Sequence, residues 1–275
     1  MSTPGPAARL SARLRAATRT MHARAERAGA MALLLRGALD GARYARLVRA
    51  LHALYGTLEG ALERHAAHPA IAPLDAAPLH RADALAHDLA ALREAGLADA
   101  RATLPPAALA YVARLAELDA REPVRLVAHA YVRYLGDLAG GQALAPIVER
   151  AFGLAHGAAT RFYAFGTREA VAARTASLRA ALDALPLSPA EADAVVDEAL
   201  DAFARHVALF EEIAAEGAPS AQIATRDAPS GTRAPAVAPG APARPRAQRP
   251  ASPAVAPPAA RSPGASSPAA SRTRR

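Results

Sequence analysis

Cysteine, tryptophan and lysine are all absent from this chain of 275 residues, and phenylalanine and tyrosine together number only 11. Without cysteine there can be no disulfide, thiolate zinc site, Cys-ligated iron–sulfur cluster or cysteine nucleophile. The same absence suits a reducing cytoplasm, which is the expected compartment. No uncharged apolar run reaches the ~18 residues that a bilayer span needs. Arg9, Arg13 and Arg15 near the start are not followed by an apolar stretch, so no secretory signal is expected. What the chain does have is a hydrophobic share of 52%, ample for a packed core in one or two domains.

The net charge of +8 invites a nucleic-acid reading until the charges are located. Residues 217–275 hold nine Arg, one Asp and no Glu, which leaves 24 basic and 24 acidic residues in 1–216. The whole excess lies in the tail, so a basic docking face on the body, and with it nucleic-acid binding, is not expected. The tail also holds 12 of the 23 prolines, set among Ala and Ser. Such a composition has too little apolar surface to offset the entropy of ordering. The expected organisation is therefore an all-α domain over 1–216 and a disordered, basic Ala/Pro/Ser/Arg-rich tail over 217–275.

Ala, Leu, Arg and Glu dominate the body, and apolar residues recur at helical spacing over 8–29, 40–66, 79–95, 106–119, 123–154, 168–184 and 189–215. Ser188, Pro189 and Glu191 read as N-cap, first position and third position of the last helix. No alternating strand pattern and no internal repeat appears.

Two stretches carry chemistry. In Leu126-Val-Ala-His-Ala-Tyr-Val-Arg-Tyr-Leu-Gly-Asp-Leu-Ala-Gly-Gly-Gln142, helical rotation of about 100° per residue gathers Arg133, Gly136, Asp137, Gly140 and Gly141 in one sector. Three helical glycines cost about 1 kcal/mol each relative to Ala. In return they leave a face bare enough for a flat ligand to reach the backbone, with Asp137 beside it. The plainer reading is that Gly-x-x-x-Gly-Gly ends a helix and Pro146 opens another, and a bend or restart is expected between Gly140 and Pro146. In the first helix, His22 and Glu26 stand four residues apart on one face. That is how a carboxylate orients a metal-ligating imidazole, and equally how a solvated surface pair is built. Taken together, the two stretches suggest a planar iron porphyrin held between an imidazole and a glycine-faced helix, its propionates clamped by Arg.

The run His129-Ala-Tyr-Val-Arg-Tyr-Leu-Gly-Asp-Leu-Ala-Gly-Gly-Gln142 closely resembles the signature of the biliverdin-forming heme oxygenases of the soluble bacterial type. The first helix resembles that family's proximal helix. Ala53-Leu-Tyr-Gly-Thr-Leu-Glu59 and His80-Arg-Ala-Asp-Ala-Leu-Ala-His-Asp-Leu89 follow in the family's order, so the resemblance spans roughly 8–215. It implies a single all-α bundle that takes heme as substrate and cofactor at once. With O₂ and supplied electrons the macrocycle is cleaved to biliverdin, carbon monoxide and ferrous iron. His22 would be the axial iron ligand and Glu26 its partner. Gly136, Gly140 and Gly141 would pack their backbone on the distal heme face. Asp137 would hold a proton-delivering water network shared with Tyr55 and Arg133. Arg15, Tyr131 and Arg179 match positions that contact propionates. Where animal relatives carry Lys, this chain has Arg15 and Thr175, which leaves the regiochemistry of cleavage open. The electron donor expected from the family is a ferredoxin or a flavoprotein reductase, and the product could supply a bilin-binding photoreceptor.

The alternative is a non-catalytic heme carrier or sensor on the same fold. It would need His22 but neither Asp137 nor the bare helix face. A thiamin-salvage hydrolase would need the missing Cys, and no Glu in the chain has His three residues on, as bundled di-iron sites require.

Overall fold

Helices account for the regular structure of the computed structural model, which describes residues 9–99 and 102–215. In chain order they are α1 (Leu10–Glu26), α2 (Gly29–Leu35), α3 (Gly41–Arg64), α4 (Ala82–Glu94), α5 (Pro106–Arg121), α6 (Leu126–Ala130), α7 (Gly136–Phe152), α8 (Arg168–Asp183) and α9 (Pro189–Ala215). No strand occurs among the described residues. The tail expected over 217–275 lies outside them.

Local chemistry sets the helix starts. The Asp40 carboxylate accepts from Arg43 N at 2.9 Å to open α3, and Thr167 Oγ1 accepts from Ala170 N at 3.3 Å to open α8. At α9 the expected reciprocal cap is present. Ser188 N donates to Glu191 Oε2 at 2.8 Å, and Glu191 N donates to Ser188 Oγ at 3.3 Å. The inward faces meet in one core that includes Leu14, Leu47, Leu58, Leu85 and Leu115, with Tyr55 and Tyr111 fully buried among them.

Three features depart from the sequence expectations. The first is α2, whose seven residues are too short to show a helical period. It holds its place by close approach: a Cβ on Gly29, which sits at φ +31°, would stand 2.1 Å from the carbonyl oxygen of Phe210 on α9. The second is a π-helical turn, Tyr131–Leu135, between α6 and α7. The third is Pro146, where a bend or restart was expected. No restart occurs, because α7 runs unbroken through it. Proline removes the donor for the carbonyl of Gln142, and Gln142 is exposed, so water can satisfy that group.

Buried carboxylates tie the elements around the future site. Glu59 of α3 accepts from Arg81 N and Ala82 N at the start of α4. Asp88 of α4 accepts from Arg161 N and Phe162 N, both at 2.8 Å, and so pins the short turn Arg161–Tyr163. Glu198 of α9 takes Arg114 Nη2 of α5 at 2.7 Å and His129 Nε2 of α6 at 3.1 Å. Burial opposes ionisation of Glu198, but the hydrogen bonds from His129 and Arg114 prevail and hold its carboxyl down at about 2. Its folded value lies below the unfolded one of about 4.3, so the stabilisation is complete above that value and is lost as pH falls towards 2. Glu198→Gln is accordingly expected to destabilise the fold by on the order of 3 kcal/mol at neutral pH. In denaturant titrations the gap from wild type should close between pH 4.5 and 2.

Candidate functional site

Side chains from α1, α2, α3, the π-helical turn, α7, the Arg161–Tyr163 turn and α9 surround a cavity of about 320 Å³. Five of its lining residues are the sector read from the sequence: Arg133, Gly136, Asp137, Gly140 and Gly141. His22 and Glu26 line it from α1. The rest is mainly apolar, with Met31, Leu47, Phe162, Phe203 and Phe210 among the walls. The two stretches singled out by pattern, more than 100 residues apart, therefore face one space.

The three glycines do different work. A Cβ on Gly136 would meet nothing within 4 Å, and one on Gly140 would meet only the tip of Leu144 at 3.9 Å. Both therefore leave open space at the cavity. A Cβ on Gly141 would come within 3.0 Å of the Tyr163 carbonyl oxygen. Besides lining the cavity, Gly141 is where α7 packs on the Arg161–Tyr163 turn.

His22 sits on α1 with half its side chain exposed and its ring edge-on to Phe203, centroids 5.8 Å apart. Its Nδ1 is 3.6 Å from Glu26 Oε1, a charge contact longer than a hydrogen bond. The other cavity histidine, His206, is 2% exposed and has both nitrogens engaged. Nδ1 is 2.8 Å from the carbonyl of Ala202, and Nε2 is 2.9 Å from Arg133 Nη1. Of the two, only His22 has a ring nitrogen without a hydrogen bond and so can ligate a metal.

Asp137 is buried at the base of the bare strip. Tyr55 O–H donates to its Oδ2, and Arg133 Nη2 donates to its Oδ1 at 2.8 Å. Arg133 Nε also donates to the Tyr55 oxygen at 2.9 Å, closing a three-residue ring of hydrogen bonds. Tyr55 does not line the cavity; it supports Asp137 from behind. Burial pushes the Asp137 carboxyl well above the ordinary carboxylate range and brings the Arg133 guanidinium down to about 10. Arg133 therefore stays charged at neutral pH, and burial makes proton uptake by Asp137 easier than for a solvated carboxylate.

The anion-binding candidates lie outside the cavity wall. Arg15 is exposed on α1, seven residues before His22 and so on nearly the same helical face. Arg179 is exposed on α8, a helix that packs against α1. Tyr131 is buried, its hydroxyl 3.3 Å from Thr18 Oγ1 of α1. Arg174 donates to the Pro78 carbonyl at 2.8 Å, and Thr175 donates back to Val171 O within α8.

Sequence reasoning passed over His206 and the Phe162–Tyr163 wall. A lone histidine on an apolar helix face carries no local signal, and its partner Arg133 is 73 residues away. No helix among the described residues is long and apolar enough to cross a membrane.

Comparison with known proteins agrees with this geometry. The family model described as heme oxygenase matches residues 8–212. The chain is 36% identical over 204 residues to heme oxygenase 1 of a Nostoc species, covering 74% of this chain and 85% of that one. Among solved structures it is similar to heme oxygenase-2 of Synechocystis in complex with heme and NO, with a TM-score of 0.71 and 33% identity. That match covers 74% of this chain and 85% of that one. Heme oxygenase-1 of the same cyanobacterium, in complex with heme, aligns with a TM-score of 0.67 and 32% identity, over 74% and 92% of the two chains.

Proposed function

Because the chain belongs to the heme oxygenase family, we propose that it cleaves heme to biliverdin, carbon monoxide and ferrous iron with O₂ and externally supplied electrons. The observation that carries this reading is the pairing across one cavity of a histidine with a free ring nitrogen and a helix face bare at Gly136 and Gly140. A flat macrocycle would lie between them. When bound, heme supplies the iron at which O₂ is activated. The protein's own residues do the rest. His22 would hold the iron through its Nε2, and Glu26 beside Nδ1 favours the tautomer that leaves Nε2 free. Arg15, Arg179 and the Tyr131 hydroxyl would hold the propionates, since Arg can clamp a carboxylate through two hydrogen bonds. Gly136 and Gly140 allow the macrocycle to approach the α7 backbone.

Asp137, held by Tyr55 and Arg133, exchanges protons with water in the cavity. Acting through water, the carboxyl supplies a proton while keeping its own bulk away from the ring edge that is to be attacked. A carrier or sensor would have no use for a buried carboxyl lining the ligand space. The activity is assigned to the body over 1–216, acting in the cytoplasm. The electrons are assigned to a ferredoxin or flavoprotein reductase, and a bilin photoreceptor is a candidate acceptor of the product.

Addition of hemin to the purified protein should give a saturable one-to-one complex with a shifted Soret band. Reductant and O₂ should then yield a green bilin. Absence of a stoichiometric complex would refute the assignment, and a complex stable to reductant and O₂ would favour the carrier.

The division of labour among the glycines gives a second test. Gly140→Ala should leave thermal stability unchanged or raised by up to about 1 kcal/mol, since Ala is the better helix former, yet weaken hemin binding because the methyl group enters the cavity. Gly141→Ala should instead destabilise the apo-protein by about 1–3 kcal/mol through overpacking on Tyr163. Equal stability effects at the two sites would contradict the separation.

A further inference from the structure

We infer that His206 is a positioning residue of the distal site: it accepts a hydrogen bond from Arg133 and thereby fixes the guanidinium that holds Asp137. The assignment rests on the heme oxygenase reading for its catalytic consequence, but not for its geometry. Arg133 spends each of its three nitrogens on a different partner: Nε on Tyr55 O–H, Nη2 on Asp137 Oδ1 and Nη1 on His206 Nε2. A planar group tethered at three corners cannot turn about its own axis. Removing one corner frees it to rotate and to trade Asp137 for water.

The partners also dictate the state of the imidazole. A guanidinium can only donate and a backbone carbonyl can only accept. With Arg133 at Nε2 and the Ala202 carbonyl at Nδ1, His206 must be neutral and carry its proton on Nδ1. Burial and the Arg133 charge both push His206 well below the ordinary histidine range, which agrees. The ring is further held edge-on to Tyr111 of α5, centroids 5.0 Å apart, and lies 5.9 Å from Phe210. It therefore presents its lone pair in one direction only. His206 lines the same cavity as Asp137, so this anchor stands at the wall of the ligand space.

The test compares wild type with His206→Gln and His206→Leu. Gln can place a carbonyl oxygen near the position of Nε2, whereas Leu removes the acceptor. In the heme-free protein, nitrogen-detected NMR should show His206 as the Nδ1–H tautomer and Arg133 with resolved, slowly exchanging Nη protons. These Arg133 signals should persist in the Gln variant and average out in the Leu variant. Biliverdin formation should fall on the order of 10-fold or more with Leu and stay near wild type with Gln. Retention of the resolved Arg133 signals in the Leu variant would overturn the inference. So would their loss in a folded Gln variant, or wild-type biliverdin output from the Leu variant. If no variant, wild type included, forms biliverdin while the NMR pattern holds, the functional reading fails and the anchor stands.

Discussion

His22→Ala is expected to abolish heme turnover while leaving the apo-protein folded. The side chain is half exposed, and among the described residues its polar and ring partners are an unclosed contact to Glu26 and the edge of Phe203. Its removal should therefore change stability by no more than about 0.5 kcal/mol. Everything the residue contributes would then be ligation. His206 cannot take over, because both of its nitrogens are engaged. Hemin titration followed by the Soret band should show the imidazole-ligated spectrum lost. Added free imidazole should restore that spectrum and part of the biliverdin yield, since alanine leaves room for it. Full activity without added imidazole would remove His22 from the iron.

Much of this site could be read from the chain because it is local. Arg133, Gly136, Asp137, Gly140 and Gly141 share a helical face by rotation alone, and the structure keeps all five on the cavity. His22 and Glu26 are likewise one turn apart. What escaped the sequence is what tertiary contact decides. How Gly141 packs depends on the turn Arg161–Tyr163, whose Arg161 and Phe162 amides Asp88 pins from another helix. The role of His206 depends on a partner in a distant helix. The short α2 is specified by Gly29 fitting under the Phe210 carbonyl rather than by any period of its own. The restart expected near Pro146 is absent for a related reason. The proline's penalty is set by whether the orphaned carbonyl is buried, and at exposed Gln142 it is not.

The second large effect is expected at Asp137, where two substitutions separate chemistry from packing. Asp137→Ala removes the acceptor for both Tyr55 O–H and Arg133 Nη2 in a buried site. A guanidinium left there unpaired should cost about 3–5 kcal/mol of folding stability. Asp137→Asn keeps a carbonyl oxygen for Arg133 and nearly the same volume, so it should fold with a much smaller loss. What Asn cannot do is exchange a proton with water in the cavity. Both variants should still bind hemin, because His22 lies on a different helix, α1. Yet biliverdin yield should fall by on the order of 100-fold in each, the usual scale for a lost general acid or base. Measuring unfolding and bilin formation on the same samples decides the matter. If yield followed stability, with Asn near wild type and only Ala impaired, Asp137 would be a structural anchor for Arg133. If yield collapses equally in the stable and the unstable variant, the carboxyl itself is what the reaction needs, and its burial beside the bare face of α7 is what favours proton uptake there.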